Sequence, residues 1–174
     1  NFTNLFIAPL KLKEIIIALI ITALIRTLIG LVPAIILTSP LFGVSILKLG
    51  IPLFLLFLSL YIFGITLGLF VSAGLIRFGP SFENIAWSSL FLLAPLGCIY
   101  YPIEILPNFF QIIAKGLPLV YIFDETRNIL LNDMVNYENL KHAFFLNLTY
   151  LLFGISLFCF SFMKARKKGT LINM

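Results

Sequence analysis

A chain of 174 residues that is 61% hydrophobic and 11% charged, with a mean hydropathy of +1.11, lies far from soluble domains, which are about 45–50% apolar and about 25% charged. A water-soluble fold of this length buries too small a share of its surface to hide so much apolar area, so lipid is part of its solvent and one membrane domain is expected. The net charge of +5 sits at the ends of apolar runs and forms no stripe with interleaved aromatics, which points to membrane topology and away from nucleic acid.

A helix needs roughly 20 mostly apolar residues to cross a bilayer. Four stretches meet this requirement. The first runs from Glu14 to Ser39 and carries one internal charge, Arg26. The second runs from Leu49 to Ile76, the third from Asn84 to Tyr101 and the fourth from Ala143 to Met163, all without charge. Between the third and fourth, apolar runs alternate with Pro102, Pro107 and Pro118 and with five acidic residues. The runs Phe109–Ala114 and Leu119–Phe123 are too short to span, and prolines break helices. Residues 102–131 therefore read as a re-entrant helical hairpin, which a membrane tolerates only where protein or a water-filled cavity covers the backbone. Asn132 to Lys141 reads as a polar loop. The expected fold is an all-α integral membrane protein of four spans plus this hairpin.

The distribution of Lys and Arg sets the orientation. Alternation of the spans puts Lys11, Lys13, Arg77, Lys164, Arg166, Lys167 and Lys168 on one side. Lys48, Lys115, Arg127 and Lys141 fall on the other, beside Glu104, Asp124, Glu125, Asp133 and Glu138. The first side is expected to be cytoplasmic, with the C-terminus inside and the chain in the cytoplasmic (inner) membrane of a cell.

Residues that carry soluble-enzyme chemistry are sparse. There is one histidine, His142, so no HExxH zinc site forms, and neither a GxxxxGK[ST] phosphate loop nor a GxSxG elbow occurs. Cys98 and Cys159 lie within apolar stretches without metal spacing and read as inert thiols. No catalytic residue, metal ligand or cofactor is assigned to this chain. The sequons at Asn1 and Asn147 carry no role, the second lying inside a span. Arg26 lies roughly 18 Å into the first span at 1.5 Å per residue. A charge at that depth is costly and marks either a translocation path or a structural hydrogen bond to a neighbouring helix. Thr22, Arg26, Gly30 and Pro33 share its face. Gly64, Gly68 and Ser72 form a small-residue ridge on the second span, expected to pack within the subunit or to line a dimer seam. Gly79-Pro80 marks a turn, and Ser81 is placed to cap the third span with Asn84. Pro9, Lys11, Lys13 and Glu14 lead into the first span from the cytoplasmic side.

The stretch Leu90–Arg127, LFLLAPLGCIYYPIEILPNFFQIIAKGLPLVYIFDETR, closely resembles the signature of ABC-2-type transporter permeases. The matching elements are the small-residue region around Gly97, Leu106-Pro107, Pro118-Leu-x-Tyr121, and Arg127 beyond it. Phe78-Gly-Pro-Ser-Phe-Glu-Asn-Ile-Ala-Trp87 is similar to the loop and helix start of many members. Asn4-Leu-Phe-Ile-Ala-Pro9 resembles the stretch before the family's third span. A family subunit has six spans with a re-entrant hairpin between the fifth and sixth. The resemblance implies that the chain corresponds to the C-terminal two thirds of a subunit, with its first two spans missing.

The resemblance implies an ATP-driven exporter without an ATPase site of its own. Two permease subunits, a homodimer in the simplest case, would pair in the lipid. Separate ABC ATPase subunits, holding ATP and Mg, would dock from the cytoplasm. Pro9, Lys11, Lys13 and Glu14, together with Arg77 and Glu83, would receive the ATPase motion. Pro102, Glu104, Pro107, Pro118, Tyr121 and Arg127 would form an outer gate, Glu104 and Arg127 either as polar anchors or as helix caps. The family's substrates include glycans, lipid-linked compounds and drugs. The competing readings are a gradient-driven transporter or channel, an intramembrane enzyme, and a non-transporting scaffold. The first calls for several buried ionisable residues or a repeat, the second for convergent catalytic groups. Arg26 alone supplies neither.

Overall fold

The structure, a computed structural model, describes residues 12–43, 46–132 and 134–168. Among them are six α-helices and no strand. Pro9 and Lys11 lie outside the described residues, as does the side chain of Lys13. The chain divides into two units, residues 1–48 and 49–174.

In the first unit, α1 (Leu12–Phe42) runs 31 residues, about 46 Å at 1.5 Å per residue, and includes a membrane-crossing candidate at Ile20–Leu41. It stays helical through Pro33 and Pro40. The hydroxyls of Thr22, Thr27 and Thr38 donate to carbonyls one turn back, Thr22 Oγ1 to Ala18 O at 2.7 Å. This is how a polar side chain satisfies itself where no water is at hand. Arg26 is exposed on this helix and makes no hydrogen bond or ion pair within the described residues of this unit.

In the second unit, α2 (Ile51–Phe78) begins with Pro52 in its first turn, where a missing N–H costs nothing. The tight turn Gly79–Ser81 leads into α3 (Phe82–Leu96). A short 3₁₀ turn, Ile103–Ile105, precedes α4 (Asn108–Ala114) and α5 (Pro118–Asn132), and α6 (Tyr137–Lys168) closes the unit. α2 and α6 are also long and apolar enough to cross a membrane, which marks the chain as a membrane protein with three such helices among the described residues.

The remaining stretch read as a span, Asn84–Tyr101, is a helix only to Leu96. Its 15 residues rise about 22 Å, against roughly 30 Å of hydrocarbon. Pro95 and the turn at Gly97–Cys98 stop it. The polar loop expected from Asn132 to Lys141 is shorter than its polarity suggests. Asn136 Oδ1 accepts from the Glu138 backbone N–H at 3.0 Å, which starts α6 at Tyr137, and the Glu138–Lys141 ion pair (2.8 Å) reinforces the first turn. Ser81 stands before α3 but makes no side-chain capping bond; the turn is closed by backbone, with Phe82 N donating to Gly79 O (3.1 Å) and Gly79 taking a positive φ of 80°.

The principal packing joins α2 to α6, which run parallel. Asn147 Nδ2 donates to Ser59 O (3.0 Å) and Ser59 Oγ (2.9 Å). Further along, Gly154 lies against Thr66 and Leu69, and Phe70 meets Phe153 with ring centroids 5.8 Å apart. At these contacts α6 offers the buried Asn147 and Gly154, and Ala143, Ser161 and Ala165 are buried along the same helix. Gly154 lets the backbones approach closely without help from a hydrophobic force. On α2 the matching face is Leu56, Ser59, Phe63, Thr66 and Ala73. It is not the ridge of Gly64, Gly68 and Ser72. A methyl group at 64 or 68 would meet nothing within 4 Å. Within this unit the ridge of Gly64, Gly68 and Ser72 lies off the α2–α6 seam, where Asn147 and Gly154 of α6 meet the α2 face that offers Ser59 and Thr66. Close approach on α2 occurs instead at Gly74, where an added methyl would collide with the Phe82 ring of α3.

Candidate functional site

The residues singled out by sequence between Pro102 and Arg127 fall in one compact region where α3 ends and α4, α5 and α6 begin. α3 closes with two backbone bonds, Cys98 N to Pro95 O (3.2 Å) and Ile99 N to Ala94 O (3.5 Å). These are the two bonds of a Schellman ending, which puts its first non-helical residue in the left-handed region. That residue is normally glycine. Here it is Cys98, with φ 53° and no exposed surface, a strained position for a side-chain-bearing residue. Gly97, one residue earlier, has ordinary φ but must be small: a methyl there would lie 2.8 Å from Leu119 Cδ1 and 2.8 Å from Leu93 O.

Arg127 on α5 reaches back across this ending. Its Nη1 donates to Cys98 O at 2.9 Å, and its Nη2 lies 3.8 Å from Asp124 Oδ1. A carbonyl freed by the end of a helix is thereby satisfied by a cation. Pro118 opens α5 and is buried, at the position where proline fits a helix without loss. Tyr121 Oη donates to Lys115 O (3.0 Å) and its ring stacks on His142 of α6, centroids 5.4 Å apart. Tyr150 Oη of α6 donates to Gly116 O (3.0 Å), and Gln111 Nε2 to Leu106 O (2.8 Å). The carbonyls of the two breaks at 106 and 115–116 thus find side-chain donors. Pro102 and Pro107 hold extended backbone on either side of the 3₁₀ turn. Glu104 is exposed and bonds no described residue, so it is not brought to Arg127.

One residue of this region escaped the sequence reading. Glu125 has no exposed surface. Its Oε1 accepts from Asn136 N (2.7 Å) and its Oε2 from Asn139 Nδ2 (3.3 Å), which also donates to Asp124 Oδ2 (3.1 Å). The carboxylate thus anchors the start of α6 to α5. A signal was present: Pro118, Ile122, Glu125 and Ile129 recur at three- and four-residue spacing, so Glu125 falls on the buried stripe of α5.

At the opposite end of α2 and α3, Arg77 and Glu83 flank the Gly79–Ser81 turn, both exposed. The Arg77 guanidinium lies over the Phe78 ring, 5.4 Å from its centroid. Among the described residues no cluster of three metal-ligating side chains exists.

No protein-family model matches the chain, and neither curated proteins nor solved structures yield a match.

Proposed function

We propose that the chain is the membrane-spanning permease portion of an ATP-driven ABC-2-type exporter, with α3 as a short fourth span and residues 102–131 as a re-entrant hairpin at the outer face. The observation that carries this reading is the way the signature residues cohere. Gly97 gives room to Leu119, Arg127 caps Cys98, and Tyr121 caps Lys115. All are contacts that let broken backbone exist at membrane depth. Two short helices, of 7 and 15 residues, lie between a short helix and a long one in the order the resemblance implies. On this reading Glu83, Arg77 and the segment Pro9–Glu14 face a cytoplasmic ATPase, which holds ATP and Mg. A second permease subunit completes the path, and Arg26 with Thr22 lines it. Exported cargo would be a glycan, a lipid-linked compound or a drug-like molecule.

The test is to purify the complete subunit in mild detergent and assay ATPase activity in what accompanies it. A stoichiometric Walker-motif partner, with ATPase activity altered by Glu83→Ala or Lys13→Ala, is the expected result. A chain that purifies alone in several detergents, without ATPase at any stage, overturns the reading.

A further inference from the structure

The parallel seam of α2 and α6 fixes what lies at its far end. Ser59 pairs with Asn147 and Thr66 with Gly154, the same offset of 88 residues. The pairs Leu69–Gly154 and Phe70–Phe153 are offset by 85 and 83 residues, so continuing the parallel course sets Arg77 level with residues 160–165 of α6, at the same end of the unit as its terminal cations. Lys164, Arg166 and Lys167 are all exposed there. Cations from two helices therefore gather at one end, opposed in these segments by the single carboxylate of Glu83. Beside Arg77 opens a cleft of about 220 Å³ lined by Phe78, Ser81, Phe82 and Ile85. Phe78 and Phe82 stack with centroids 5.7 Å apart, and Phe78 and Ile85 are 65% and 61% exposed.

Depth decides what fits. The 28 residues of α2 rise about 42 Å, matching the roughly 40–45 Å of a bilayer with its headgroup layers. Arg77 and Phe78 close this helix, so the cations lie at headgroup level and the apolar cleft beside them lies at the boundary with the acyl chains. We propose that this end of the molecule binds an anionic phospholipid, its phosphate held by Arg77 and Arg166 and one acyl chain laid in the Phe78–Phe82–Ile85 cleft. Basic pockets between membrane helices suit acidic headgroups, and an apolar cleft beside them suits the attached chain. The inference needs only the membrane-crossing helices and does not rest on the exporter reading.

Trp87 is the only tryptophan, and at 100° per residue it faces the side of α3 opposite Ile85. The full chain is reconstituted with dibrominated phosphatidylglycerol or dibrominated phosphatidylcholine, whose bromines quench tryptophan on contact. Native Trp87 reports the general lipid annulus, and the variant Ile85→Trp/Trp87→Phe reports the cleft. At position 85, half-quenching is expected at about fivefold lower mole fraction of the anionic lipid, the scale of one basic residue at a membrane surface. Arg77→Gln or Arg166→Gln should remove most of that preference, with helicity and the Trp87 signal unchanged. Equal quenching by the two lipids at position 85, or a preference that survives both substitutions, overturns the proposal. This result is independent of whether an ATPase co-purifies.

Discussion

The α2–α6 seam and the α3–α5 junction belong to one unit but are held by different means. Along the seam both backbones are complete helices, every internal carbonyl is already satisfied, and what matters is how closely the helices approach. Gly154 allows that approach, and one polar pair, Ser59–Asn147, sets the register. At the junction the backbone is broken at Cys98, Leu106 and Lys115–Gly116, and what matters is who donates to the freed carbonyls. Arg127, Gln111, Tyr121 and Tyr150 do. A packing seam tolerates the loss of a side chain better than a broken backbone tolerates the loss of its cap, because an orphaned buried carbonyl bears the whole desolvation cost.

That contrast can be tested by unfolding the reconstituted or detergent-solubilised chain thermally or with denaturant. The largest loss is expected at the junction from Gly97→Val, about 3 kcal/mol, because the added methyls meet Leu119 and the Leu93 carbonyl. Arg127→Ala should cost about 2 kcal/mol by leaving Cys98 O without its charged donor. Placing glycine at 98 should return part of this loss by relieving the left-handed backbone; additive single and double variants would show that the cap and the strained turn are independent. On the seam, Asn147→Leu should cost less, about 0.6 kcal/mol, typical of a hydrogen bond between membrane helices. Part of the reason is that Asn147 Oδ1 is buried without a partner, so its removal relieves a cost as well. Smallest of all, Gly64→Ala should be neutral or stabilising by up to about 0.5 kcal/mol, since glycine inside a helix is unfavourable and this one faces open space. A clear loss there would mean that the ridge of Gly64, Gly68 and Ser72 meets another helix.

Hydropathy places the three long helices within a few residues at most ends, since an apolar run of about twenty residues leaves lipid as its only comfortable surrounding. It errs at the ends of α6, where Tyr137–His142 is polar yet helical because Asn136 and the Glu138–Lys141 pair support it. It also carries the third helix to Tyr101, because Ile99, Tyr100 and Tyr101 are apolar in a non-helical turn whose origin is the geometry at Cys98. Composition identifies Gly64 and Gly68 as fit for packing but says nothing of which face a neighbour selects; that choice lies in the matching residues of α6. In the candidate site, the prolines and Gly97 are legible from their own backbone constraints. The Arg127–Cys98 bond, across 29 residues, is not, since a backbone carbonyl has no sequence signature.

The parallel course of α2 and α6 has an electrostatic consequence. Each helix concentrates about half a negative charge at its C-terminus, and the parallel course brings two such ends to one end of the unit, where the N-terminus of α3, joined to α2 by the Gly79–Ser81 turn, offsets only one of them. Arg77 in the last turn of α2, with Lys164, Arg166 and Lys167 on α6, supplies the counter-charge. Those cations therefore act as more than a topology signal: by neutralising two aligned dipoles at a membrane boundary, they favour the pairing of the helices that carry them.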